Sequence, residues 1–118
     1  MYYTYIIRTE GGALYTGIAK NLFSRMQDHS SQGKRSAKFT RSHKILSLEA
    51  LWSGSDRSAA SRLEYAIKQL SKKEKEALIL TPSLFSKLLP HLEKEDFIHH
   101  PKACLALYRK EIDLAHLP

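Results

Sequence analysis

Hydrophobic and polar positions change their spacing several times along the chain, and each change marks an element. Residues 2–8, Tyr-Tyr-Thr-Tyr-Ile-Ile-Arg, are aromatic and β-branched, which predicts a strand. Gly11-Gly12 is a turn signal, and residues 13–18, Ala-Leu-Tyr-Thr-Gly-Ile, read as the returning strand of a hairpin. Asn21 suits a helix N-cap; Leu22, Phe23 and Met26 supply the apolar stripe of a helix running to about Ser31, which Gly33 ends. Residues 34–44 are polar and basic and read as a loop. Residues 45–52, Ile-Leu-Ser-Leu-Glu-Ala-Leu-Trp, read as a third strand.

Ser53-Gly54-Ser55-Asp56 breaks that strand and caps a helix that buries Leu63, Ala66, Ile67 and Leu70 at the 3.6-residue period. Ser71 caps a short helix through Ile79. Thr81-Pro82-Ser83 is the clearest boundary. Beyond it lie Leu84, Phe85, Leu88 and Leu89, a polar segment between Pro90 and Pro101, and an amphipathic helix carrying Leu105, Tyr108 and Ile112. There is no internal repeat. The order β-β-α-β-α followed by helices predicts an α+β fold, a small antiparallel sheet with helices packed on it. Residues 1–80 form the expected domain. Residues 81–118 form a helical C-terminal extension, docked on the domain or used for self-association.

Composition agrees with one globular domain: 118 residues, 42% apolar and 26% charged. Cys104 is the single cysteine, so no intrachain disulfide forms. No apolar run approaches the ~18–20 residues of a membrane span. The start, Met-Tyr-Tyr-Thr-Tyr, lacks a signal-peptide pattern, so a cytoplasmic protein without membrane contact is expected.

Charge narrows the partners. Nineteen Lys and Arg stand against twelve Asp and Glu, a net +7. Residues 1–80 hold fourteen against seven, while residues 81–118 hold five of each. A positive field concentrated in one domain favours a polyanion, most plausibly nucleic acid.

Five features then recur in order: Tyr3-Thr4-Tyr5, Tyr15-Thr16-Gly17, Lys20-Asn21-Leu22, Arg25 with His29 on one helix, and Glu64 on a later helix. This set resembles the GIY-YIG nuclease superfamily over about residues 2–80, and most closely its small stand-alone bacterial members. The resemblance implies a three-stranded antiparallel sheet flanked by helices and metal-dependent cleavage of DNA phosphodiesters, with a role in DNA repair or recombination. By position, Tyr5 resembles the tyrosine of the first motif, and Tyr15 and Gly17 resemble the second. Arg25 resembles the helix arginine and Glu64 the metal-binding glutamate.

The chemistry suits these residue types. Arg25 offers a fork of donors to phosphate oxygens, and His29, one turn later, can orient water or relay a proton. Glu64 can hold one Mg²⁺ or Mn²⁺, with water and substrate completing the shell; its other expected role is an i,i+4 pair with Lys68. A phenol titrates at about 10, so a tyrosine base needs a cation such as Arg25 or Lys20 beside it; otherwise the phenols hold water and phosphate as hydrogen-bonding groups. Gly17, Lys20, Lys34, Arg35, Lys38 and Arg41 are the expected substrate contacts, with DNA, or RNA, as the polymer. A catalytically weak or inactive nucleic-acid-binding module on the same fold is the alternative. A homodimer or a protein partner engaging the extension is also open.

The hairpin register tests whether Tyr5 and Tyr15 can share a site. A two-residue loop at Gly11-Gly12 would pair Arg8 with Tyr15 and send the phenols to opposite faces. A three- or five-residue loop, or a bulge, pairs Ile7 with Tyr15 and Tyr5 with Gly17, placing both phenols on one face at a diagonal of roughly 7–8 Å. The longer loop is the expectation.

Overall fold

The computed structural model describes residues 1–22, 24–25, 45–92 and 96–100. Strand β1, Tyr2–Thr9, pairs antiparallel with β2, Leu14–Ala19, on one side and with β3, Ile45–Gly54, on the other. The loop between β1 and β2 is the three-residue turn Glu10–Gly12, closed by the Thr9 N–H donating to the Ala13 carbonyl at 2.9 Å. Gly11 and Gly12 both take positive φ, 81° and 83°, which a side chain would strain. The expected longer loop therefore forms, and the register follows: Ile7 opposes Tyr15 and Tyr5 opposes Gly17.

Helix α1, Arg57–Lys68, starts where the Asp56 carboxylate accepts from the Ala59 N–H at 2.8 Å. Helix α2, Lys72–Leu80, opens on a reciprocal cap between Ser71 and Glu74. Alternation along β1 divides two cores. Ile6 faces Ala50, Trp52, Leu63, Ala66, Ile67 and Leu78 beneath the helices. Tyr5 and Ile7 face Ala19, Leu22, Leu48 and Leu51 on the other side. Thr4, buried on the helix side, donates its hydroxyl proton to the Ala60 carbonyl at 3.1 Å and fixes α1 on the sheet.

Two corrections concern the C-terminal part. The sheet has four strands, in the order β2-β1-β3-β4, because Ile98–His99 forms a two-residue β4 on the edge of β3. The His100 N–H extends this ladder to the Leu51 carbonyl at 2.9 Å. Two residues are too few for a period-2 pattern to register in sequence. The segment after Thr81 is also not uniformly helical: the 3-10 turns Pro82–Leu84 and Pro90–Leu92 flank one helical turn, α3, Phe85–Leu88. Pro82 and Pro90 interrupt regular hydrogen bonding there. Leu89 and Leu92 nonetheless enter the core beneath the helices. The amphipathic helix expected around Leu105 lies outside the described residues.

A bulge shapes the other end of the sheet. Ile6 pairs with Ala50 and Ile7 with Leu48, which leaves Glu49 as the extra residue of β3. Its carboxylate lies 3.5 Å from the Arg8 Nε and accepts from the Ser47 hydroxyl. Arg8 also grips Glu76 with both terminal nitrogens, at 2.9 and 2.5 Å, tying β1 to α2.

Candidate active site

Four elements converge on Tyr5. The strand β1 carries it at the sheet's centre, fully buried. Opposite it Gly17 presents no side chain, and both candidate phenols rest on that gap. A Cβ built at Gly17 would stand 2.5 Å from the Tyr5 hydroxyl oxygen, 2.7 Å from Tyr5 Cζ and 3.1 Å from Tyr15 Cε1. Only glycine fits between these rings without displacing them. Tyr15, one diagonal step along β2, is partly exposed and packs against the same core as Tyr5.

Asn21 builds the next wall. Its side-chain oxygen accepts from the Ser24 N–H at 3.0 Å, and its carbonyl accepts from the Arg25 N–H at 3.1 Å. That cap sets Arg25 one turn past Asn21. A cation there opposes the partial positive charge of a helix start, an arrangement that local electrostatics does not favour and that an incoming anion relieves. The Arg25 side chain hydrogen-bonds the Tyr5 phenol.

Burial pushes the Tyr5 phenol above its ordinary value near 10.0; the Arg25 hydrogen bond and charge pull it down, and Tyr15 and Glu64 push it up again. Burial wins. The expectation that a neighbouring arginine lowers the phenol toward neutrality is therefore not met at Tyr5, because desolvation of a phenolate in the core exceeds the help from one guanidinium. Tyr5 stays a neutral phenol that accepts from Arg25.

Glu64, on α1, lies close enough to act electrostatically on Tyr5. Its side chain retains 24% exposure, and its carboxylate pairs with the Lys68 Nζ at 3.5 Å, as the i,i+4 spacing leads one to expect. Among the described residues there is no group of three or more His, Cys, Asp and Glu side chains placed to hold a metal ion. A closed protein cage is thus missing there, but a single accessible carboxylate suits Mg²⁺, which keeps several waters and takes substrate phosphate as a ligand.

Tyr5, Tyr15, Gly17, Arg25 and Glu64 are thus brought into one neighbourhood, and Lys20 is exposed at the end of β2. His29, Lys34, Arg35, Lys38 and Arg41 lie outside the described residues. A further feature, which the motif pattern does not point to, is a polar stripe on α1 formed by Ser58, Ser61, Arg62 and Tyr65; its i, i+3, i+4, i+7 spacing is legible in the sequence. No described helix is long and apolar enough to cross a membrane.

Residues 1–77 match the family described as the GIY-YIG catalytic domain. The chain is 40% identical over 93 residues to the UPF0213 protein FN1575 of Fusobacterium nucleatum, covering 79% of this chain and 91% of that one. It is 41% identical over 92 residues to the UPF0213 protein YhbQ of Salmonella arizonae, covering 78% and 90%. The solution NMR structure of the UPF0213 protein BH0048 from Bacillus halodurans aligns with a TM-score of 0.43 at 31% identity, over 75% of this chain and 97% of that one.

Proposed function

The chain belongs to the GIY-YIG catalytic-domain family, and from that premise we propose that it is a metal-dependent endonuclease hydrolysing DNA phosphodiester bonds in the cytoplasm. The family is one of endonucleases, its substrates are nucleic acids, and its members typically use divalent metal ions. The observation that carries the proposal is the Arg25–Tyr5 hydrogen bond, with the Tyr15 phenol and the Glu64 carboxylate within electrostatic reach of the same phenol.

Each residue then has a task. Arg25 clamps the phosphate oxygens and stabilises the charge that grows as the nucleophile attacks. Tyr5, neutral, buried and held by Arg25, fixes the guanidinium that meets the phosphate. Tyr15, the more exposed phenol, positions that water in line. Gly17 is buried and the space of its missing side chain is filled by the two rings, so its part is to let the phenols stand together rather than to meet the phosphate. Glu64 would hold the single Mg²⁺ or Mn²⁺, which would supply Lewis-acid stabilisation of the phosphate and its leaving oxygen. His29 serves as proton relay, and Lys20, Lys34, Arg35, Lys38 and Arg41 contact flanking phosphates. None of these groups reads a base edge, so substrate choice follows nucleic-acid structure rather than sequence, in the setting of repair or recombination. Residues 1–80 form the nuclease unit, and residues 81–118 support it or join it to a second copy or a partner.

The test is incubation of the full chain with single-stranded, duplex and branched DNA, with Mg²⁺ or Mn²⁺ against EDTA. Metal-dependent cleavage of any of them supports the proposal. Salt-sensitive binding without cleavage in either metal overturns it in favour of a binding module.

A further inference from the structure

The outer face of α1 carries a cavity that the site above does not use. Ser58, Ser61, Arg62 and Tyr65 occupy one stripe of the helix, turned away from Ala59, Leu63, Ala66 and Ile67 in the core. His91 and Leu92, from the turn Pro90–Leu92, complete a cavity of about 440 Å³ with these four residues. That volume lies in the range of small-molecule sites.

The lining has an apolar base and a polar rim. Leu92 is buried at 3% exposure, while Tyr65 is 69% exposed, so its ring is open to a ligand. The Ser58 hydroxyl accepts from Arg62 Nη1 at 2.8 Å and orients the guanidinium along the stripe. The ionisable groups lining the cavity are the Tyr65 phenol, the Arg62 guanidinium and the His91 imidazole, in a chain of net charge +7. Such a lining combines a stacking surface with donors for an anion.

We propose that this cavity binds a nucleotide, its base stacked on Tyr65 over Leu92 and its phosphate held by Arg62 and His91. Stacking on an aromatic tolerates any base, and the guanidinium fork matches phosphate oxygens. The Ser58 and Ser61 hydroxyls face the sugar. Under the nuclease reading the occupant is a nucleotide of the bound strand, an identity that rests on that reading. A free mononucleotide carries the same chemistry and is the other source to be distinguished.

The test measures binding by the full chain in EDTA, where no cleavage occurs. The probes are a short fluorescent single-stranded oligodeoxynucleotide and, separately, dAMP. Tyr65→Ala is expected to weaken binding about ten-fold, with Tyr65→Phe restoring it. Arg62→Ala is expected to reduce the slope of log affinity against log salt by about 0.7. Both residues are exposed on the helix surface, so the variants keep the fold, which circular dichroism checks. Tyr65-dependent binding of dAMP but not of the oligomer supports the cavity and assigns a free nucleotide as its occupant. If both probes bind Tyr65→Ala and Arg62→Ala as tightly as wild type, or wild type binds neither, the proposal is overturned. An oligomer affinity that falls only in Arg25→Ala overturns the cavity and leaves the nuclease reading intact. Tyr65-dependent binding by a chain that cleaves nothing does the reverse.

Discussion

The Tyr5 hydroxyl lies over the bare Cα of Gly17, so close that a Cβ there would stand 2.5 Å from the oxygen. One missing methyl group thus sets the position of the phenol on which Arg25, Tyr15 and Glu64 act. Tyr5 is fully buried, so displacing its ring disturbs the core packed around it.

Gly17→Ala is therefore expected to force the Tyr5 ring or β2 aside. Overpacking of this kind costs about 1–3 kcal/mol. The variant should unfold at lower urea concentration and lose cleavage even where it remains folded. A circular-dichroism melt beside a cleavage assay checks both.

Tyr5→Phe separates chemistry from packing. The ring stays, and only the hydroxyl that meets Arg25 is lost. Stability should change by about 1 kcal/mol or less, while cleavage should fall at least about ten-fold if the O–H contributes to the transition state. Equal losses in kcat and kcat/KM would mark an interaction made in the transition state alone.

Much of this geometry is legible in the sequence. Gly11-Gly12 marks a turn, Asn21 marks a cap that fixes where Arg25 stands, and Tyr5, Tyr15 and Gly17 mark a register in which glycine opposes a ring. Such signals are local, and local chemistry dictates them. The direction of the Tyr5 pKa shift is not legible, because it sums burial over neighbours from several elements. Nor is the Arg8–Glu76 pair, whose partners are 68 residues apart. Strand β4 escapes because two residues carry no periodicity.

Lys68 competes with any cation for the Glu64 carboxylate. An exposed i,i+4 pair is worth about 0.3–0.5 kcal/mol, so Lys68→Met should roughly halve the Mg²⁺ concentration needed for half-maximal cleavage. A metal titration of the cleavage rate reads this shift; an unchanged midpoint would remove Glu64 from the metal's surroundings.

The Arg8–Glu76 pair gives stability a dependence on acid. The Arg8 guanidinium holds the Glu76 carboxyl below its ordinary value of 4.5. The folded chain then binds fewer protons there than the unfolded one, so the contribution is complete above about pH 4.5 and is lost as pH falls below it. Glu76 is partly exposed, which limits the effect to about 1 kcal/mol. Urea midpoints of wild type and Glu76→Gln should differ at pH 7 and converge toward pH 3.

The most direct test of the central claim compares wild type with Arg25→Ala and Glu64→Ala on whichever DNA substrate is cleaved, with binding measured in parallel in EDTA. The expected result is metal-dependent cleavage by wild type and losses of at least about a hundred-fold in both variants. Arg25→Ala should also weaken binding, whereas Glu64→Ala should bind at least as tightly as wild type, since it removes a negative charge near the phosphate. Cleavage that survives Glu64→Ala at the wild-type rate would contradict the assignment of Glu64 and, with it, the site as a metal-dependent nuclease centre.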